Sequence, residues 1–101
     1  MAELRINPIV VEDLQSIKNF ISEDNQEAAL NTIQEIYSRF ENIKQFPLIG
    51  ADLSKRVSFR TDLKYIIWES YIIVYRIKEK GKIVEVYRVL NQYQDITMIF
   101  G

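Results

Sequence analysis

Neither cysteine nor histidine occurs among the 101 residues. The first absence excludes disulfides, thiolate metal sites and a cysteine nucleophile, though it does not identify a redox compartment. The second removes the side chain most often used for proton transfer near neutral pH, and the commonest metal ligand. Any catalysis would fall to carboxylates, Lys, Arg or Tyr, and neither a metal nor another cofactor is expected. Also missing is an apolar run near the roughly 18 residues that a membrane span needs. The opening MAELRINPIV lacks the basic stretch followed by an apolar block that marks a secretory signal, so a cytoplasmic protein without membrane contact is expected. Internal repeats, low-complexity tracts and linkers are absent too.

What is present is the composition of a folded protein, 48% hydrophobic and 27% charged. A chain of this length has room for one core, so a single domain over residues 1–101 is expected. The net charge of −1 hides an asymmetry. Residues 1–50 hold four cationic against eight acidic side chains, a balance of −4, and residues 51–101 hold nine against six, a balance of +3. An acidic partner would therefore dock on the second half. The pI of 5.4 argues against a dedicated nucleic-acid binder, for which values above about 9 are usual.

Glu3–Asn7 alternates Leu4 and Ile6 with charged neighbours, the pattern of a short strand, and Pro8 suits the first position of a helix. Val10, Leu14, Ile17 and Ile21 then form one apolar stripe. Ser22-Glu23-Asp24-Asn25 breaks that helix and caps the next through Asp24 or Asn25. A second helix over about 26–45 aligns Ala29, Ile33, Ile36, Phe40 and Ile43, which predicts a helical hairpin. Phe46-Pro47-Leu48-Ile49-Gly50 stops it, and a loop runs to about Arg56. Lys64–Trp68, Tyr71–Lys78 and Lys82–Leu90 are rich in β-branched and aromatic residues and are separated by short breaks, so they predict a three-stranded antiparallel meander. Its middle strand turns Tyr71, Ile73, Tyr75 and Ile77 to one face and Ile72, Val74 and Arg76 to the other. The helices are expected to cover one face and to leave the opposite, cation-bearing face free. Ile96–Phe100 forms a short apolar tail, either a helical turn or an added strand.

This order of elements, an α+β arrangement, is similar to the toxin fold of the RelE/ParE superfamily. Several stretches resemble the family's pattern: Pro8-Ile9-Val10-Val11-Glu12-Asp13-Leu14, Phe20-Ile21, Ala28-Ala29, Phe46-Pro47 with Gly50, Tyr71 to Ile77, and Arg88-Val89-Leu90 running to Asp95. The resemblance covers essentially the whole chain. It implies the toxin of a bacterial type II toxin–antitoxin pair, of the kind associated with growth arrest and plasmid stabilisation, neutralised by an acidic antitoxin. Such toxins either inhibit DNA gyrase or cleave messenger RNA on the ribosome. The nucleases hold phosphate with Arg or Lys on the central strands and move protons with a Tyr, His or Arg near the C-terminus. Here Ile72 stands where many of them have arginine, and Asn91, Tyr93 and Gln94 replace the usual His and Arg. A non-nucleolytic gyrase inhibitor is therefore the expected reading. The alternatives are a ribosome-dependent endoribonuclease using Lys64, Arg76 and Tyr93, and a degenerate member that binds antitoxin without toxicity.

Arg60, Lys64, Arg76, Arg88, Tyr93 and Gln94 are the candidate target- or antitoxin-binding residues. Taken singly, most such cations belong to a solvated surface, and Tyr93 to tail packing. Tyr71 and Tyr75 read as core, Trp68 as partly buried against the helices, and the Glu12-Asp13 pair as a solvated helix face. A homodimer or a toxin–antitoxin heterotetramer is the possible assembly.

Overall fold

The computed structural model describes residues 2–93. Strand β1 (Glu3–Ile6) leads into helix α1 (Pro8–Ser22). Asn7 ends the strand because its side chain is needed as the helix N-cap, accepting the Ile9 N–H at 3.1 Å, and Pro8 follows where no N–H donor is required. Helix α2 (Gln26–Gln45) has the predicted bounds and is capped by Asn25, which accepts the Ala28 N–H at 3.0 Å. Val10, Leu14, Ala29, Ile36, Phe40 and Ile43 are all buried, so the two seams meet as their spacing requires.

After α2 the chain carries more structure than its sequence suggests. A 3-10 turn (Pro47–Ile49), a two-residue strand β2 (Ala51–Asp52) and a second 3-10 turn (Leu53–Lys55) replace the expected plain loop. Strands β3 (Lys64–Trp68), β4 (Tyr71–Lys78) and β5 (Ile83–Asn91) form the meander. Glu69 has a φ of 54°, the left-handed value that closes the tight β3–β4 turn. With β1 parallel to β5 and β2 antiparallel to β3, the sheet has five strands in the order β1-β5-β4-β3-β2, and β4 is central. The tail expected over Ile96–Phe100 lies outside the described residues.

The faces of β4 divide as the alternation predicts. Ile73 and Tyr75 are fully buried in the cluster under the helices, with Ile36, Phe40 and Ile43. Ile72 and Val74 are fully buried too, on the opposite side, against Leu53, Leu63 and Leu90. The expectation of a free second face is therefore corrected. Segment 53–63 folds back over it, because Ile72, Val74 and Leu90 on adjacent strands would otherwise face water.

The Tyr75 hydroxyl ties this arrangement to the loop after α2. It donates to the Pro47 carbonyl at 2.6 Å and accepts the Gly50 N–H at 2.8 Å. Burial pushes its pKa above the ordinary tyrosine value, opposed in part by the Gly50 N–H. Gly50 itself is extended (φ −80°), so glycine is needed there for approach and not for a special turn. A Cβ at Gly50 would lie 2.8 Å from the Tyr65 carbonyl oxygen. Removing the hydroxyl leaves a donor and an acceptor short of their partner, each part-buried. Tyr75→Phe is therefore expected to destabilise the fold by about 1–3 kcal/mol, whereas Tyr93→Phe, at an 81% exposed position, is expected to leave it unchanged, as read by thermal or urea denaturation.

Candidate functional site

Two regions of this fold gather polar chemistry. The first lies at the end of β5, where α1 crosses it. β1 stops at Ile6, opposite Val86, so the β5 backbone beyond that point has no strand on that side. Between Val74 and Tyr75 of β4 the register slips by one residue, with Val74 opposite Arg88 and Tyr75 opposite Val86, which leaves Tyr87 as the extra residue of a bulge. Asp13 of α1 fills the gap. Its carboxylate accepts the Val89 N–H at 3.0 Å and both Arg88 Nε and Nη2, at 2.9 and 2.8 Å. The side chains are only 9% and 21% exposed, and Asp13 holds the Arg88 pKa above the ordinary value.

The sequence pattern predicts a solvated helix face for Asp13; the structure corrects this, because the carboxylate is shielded by Arg88 and the β5 backbone. Its position one residue before buried Leu14, at the border of the apolar stripe, was the available signal. Arg88, expected at a binding surface, has its guanidinium fork taken by this pair. Around it Ser16, Ile17, Phe20, Tyr71 and Asn91 line a concavity of about 390 Å³. Phe20 is 74% exposed at its mouth. Gln92 is fastened next to it, its N–H donating to the Ser70 carbonyl at 2.8 Å and its side-chain amide to the Glu69 carbonyl at 2.6 Å. Tyr93 then projects into solvent, and Gln94 lies outside the described residues.

The second region is the β2–β3 edge with segment 53–63. Asp52, Ser54, Arg60, Thr61 and Asp62 line a shallow polar hollow. Asp62 accepts from Arg76 Nε at 3.2 Å, and the Arg76 guanidinium also lies 5.5 Å from the Tyr87 ring centre. The Ser54 N–H and hydroxyl chiefly hold the Asp52 carboxyl below its ordinary pKa, with smaller help from the charges of Lys55 and Lys64. The cations here thus come with counter-charges, and the patch is mixed in sign.

The predicted site residues do not converge. Lys64 lies opposite Tyr75 and shares the helix-side face with Ile66 and Trp68, while Arg76 belongs to the other face. Tyr93 follows the end of β5 that pairs with Tyr71, and Arg76 stands five residues along β4 from there, roughly 16 Å at strand rise. Arg60 lines the same hollow as Asp62, to which Arg76 donates; Lys64 lies beside Asp52 at that edge but on the other face of the sheet, and Arg88 and Tyr93 are elsewhere. Trp68 is half-buried as expected, stacked on Tyr71 with Arg39 5.6 Å from its ring. Among the described residues no three acidic side chains converge to hold a metal ion, and no helix is long and apolar enough to cross a membrane.

Comparison with known proteins adds to this geometry. A family model described as the ParE toxin of the type II toxin–antitoxin system parDE matches residues 4–96. Among solved structures, the fold is similar to a chain described as the chromosomal ParDE TA system from P. aeruginosa. The identity is 20%, the match covers 90% of this chain and 96% of that one, and the TM-score is 0.71. No curated protein matches.

The Asp13–Arg88 pair yields a direct expectation. Asp13→Ala strands a part-buried guanidinium and the Val89 N–H together, and is expected to cost about 2–4 kcal/mol of stability. Asp62→Ala, which unpairs the more exposed Arg76, is expected to cost less than about 1 kcal/mol. Equal losses in chemical denaturation would show that the bulge does not depend on Asp13.

Proposed function

Because the chain belongs to the family of ParE toxins of type II toxin–antitoxin systems, we propose that it acts by binding and blocking a macromolecular target, DNA gyrase, and that a cognate antitoxin with an acidic tail holds it inactive. The observation that carries the binding reading is the state of the sheet at Ile72. Where a nuclease of this fold needs a cation on an open surface, this chain has a fully buried isoleucine beneath Leu53 and Leu63. The three residues with suitable chemistry, Lys64, Arg76 and Tyr93, are split between two faces and two ends of the sheet. General acid–base catalysis needs its groups within hydrogen-bond reach of one substrate proton or, at most, one water away. Arg76 stands roughly 16 Å of strand from the end of β5 that leads to Tyr93, which works against that condition. A binding inhibitor makes no such demand, since its affinity comes from surface complementarity.

An acidic antitoxin suits the charge distribution. Residues 51–101 carry the +3 balance, and an extended acidic segment that orders on binding can run along such a surface. Gyrase inhibition also places the site of action in the cytoplasm.

Expression of the chain alone is expected to arrest growth, with rescue by the co-expressed antitoxin. Plasmids from arrested cells are expected to lose negative supercoiling while messenger RNA stays intact, and the purified chain is expected to inhibit gyrase supercoiling in vitro. Cleavage of mRNA in a translating extract, abolished by Arg76→Ala or Tyr93→Phe, would establish the endoribonuclease instead. Normal growth at good soluble yield would point to a member that binds antitoxin without toxicity.

A further inference from the structure

The loop after α2 presents three exposed apolar residues on either side of a proline: Phe46 is 62% exposed, Leu48 78% and Ile49 59%. Such a cluster would be unremarkable on a mobile loop. Here the fully buried Tyr75 fixes the loop from beneath through Pro47 and Gly50, so its apolar side chains are held in water by the core itself. Pro47 and Leu48 form one wall of a groove of about 440 Å³, Ile77 lines it, and Lys80 with Gly81 forms the other wall. The groove is apolar apart from Lys80. Glu79, Lys80 and Gly81 have φ values of 51°, 57° and 91°, so two non-glycine residues are held in left-handed backbone at its rim. Strain of that kind persists only where the surroundings impose it.

The charge around the groove selects its occupant. Lys78 is paired with Glu85 at 3.7 Å, whereas Lys80 and Lys82 are exposed and have no acidic partner among the described residues; with the exposed Glu79 of the same turn they leave the rim net positive. Two copies meeting through this patch about a two-fold axis would bring those lysines together, which opposes self-association. An acidic partner gains where a second copy loses. We infer that the groove between the Phe46–Ile49 loop and the Lys80–Gly81 turn is a docking site for an acidic segment of the antitoxin, which seats an apolar side chain against Leu48 and Ile77 and sets its carboxylates beside Lys80 and Lys82. This rests on the antitoxin reading given above. Because the loop is already ordered, binding spends little on fixing it.

The test uses the full chain and the purified product of the reading frame adjacent to its gene, with affinity measured by titration at low and high salt. Leu48→Asp is expected to weaken binding on the order of 30-fold, the loss typical of a central apolar anchor. Lys80→Glu is expected to weaken it by about 5-fold at low salt, with the difference shrinking at high salt. Leu30→Asp, at a 52% exposed position on α2, serves as the comparison and is expected to bind like the wild type. Melting curves check that each variant is folded, and Lys80→Glu carries the test if Leu48→Asp is not. Wild-type affinity in both Leu48→Asp and Lys80→Glu overturns the inference while leaving the antitoxin reading intact. So does a Leu48→Asp variant that changes only self-association, or only gyrase inhibition. Failure of the wild-type chain to bind at all overturns the antitoxin reading itself.

Discussion

Strand β4 is buried on both faces, with Ile73 and Tyr75 on one side and Ile72 and Val74 on the other all inaccessible to solvent. A strand of that kind has to be covered twice, at roughly 1.5–3 kcal/mol for each large side chain removed from water. Helices α1 and α2 supply the first cover. The second comes from segment 53–63, whose Leu53 and Leu63 close over Ile72 and Val74. Much else follows from this demand. The loop after α2 must return to the far edge of the sheet to begin that second cover, and the Tyr75 hydroxyl holds the point where it turns, at Pro47 and Gly50.

The same demand decides where charge can sit. With the middle of both faces closed, cations are left to the rims and ends of the sheet, where Arg76 finds Asp62, Lys78 finds Glu85 and Arg88 finds Asp13. Only the last of these pairs is shielded enough to matter greatly to stability, and it also completes the backbone of β5 where β1 runs out. Among the described residues these cations do not gather around one point. The proposed recognition of a separate macromolecule does not require them to, because rim charges and apolar outcrops can each contact a partner without meeting one another.

Elements whose signal is local were legible in the sequence. The 3.6-residue stripe through Ala29, Ile36, Phe40 and Ile43 gave α2 its bounds, and the runs KYIIW and YIIVYRIK gave β3 and β4 theirs. An N-cap at Asp24 or Asn25 and the opening Pro8 were visible for the same reason, and the structure uses Asn25. What was not legible depends on partners distant in the chain. β2 is two exposed residues that count as a strand only because Tyr65 and Lys64 lie beside them. The seal over Ile72 needs Leu53 and Leu63, which sit singly in a polar segment without any period. Asp13 and Arg88 are 75 residues apart, and nothing short of the bulge at Tyr87 would align them. The candidate cations failed as a cluster for a related reason: Lys64 and Arg76 flank the same point of the sheet, yet strand alternation sends them to opposite faces.

The proposed function, inhibition by binding and silencing by binding, needs surfaces that keep their shape before either partner arrives. The ordering that association would otherwise demand can amount to 0.5–1.5 kcal/mol for each immobilised side chain. This fold meets that cost during its own folding. Tyr75 spends both hydrogen-bonding functions on the Pro47–Gly50 loop, Asp13 satisfies three donors at the end of β5, and Gln92 is fastened to the β3–β4 turn through its backbone and its side chain. Each of these contacts lies directly beneath exposed residues: Leu48 and Ile49 above the first, Phe20 near the second and Tyr93 after the third. These polar groups thus hold outward-facing residues still, which is what affinity through preorganised surfaces requires.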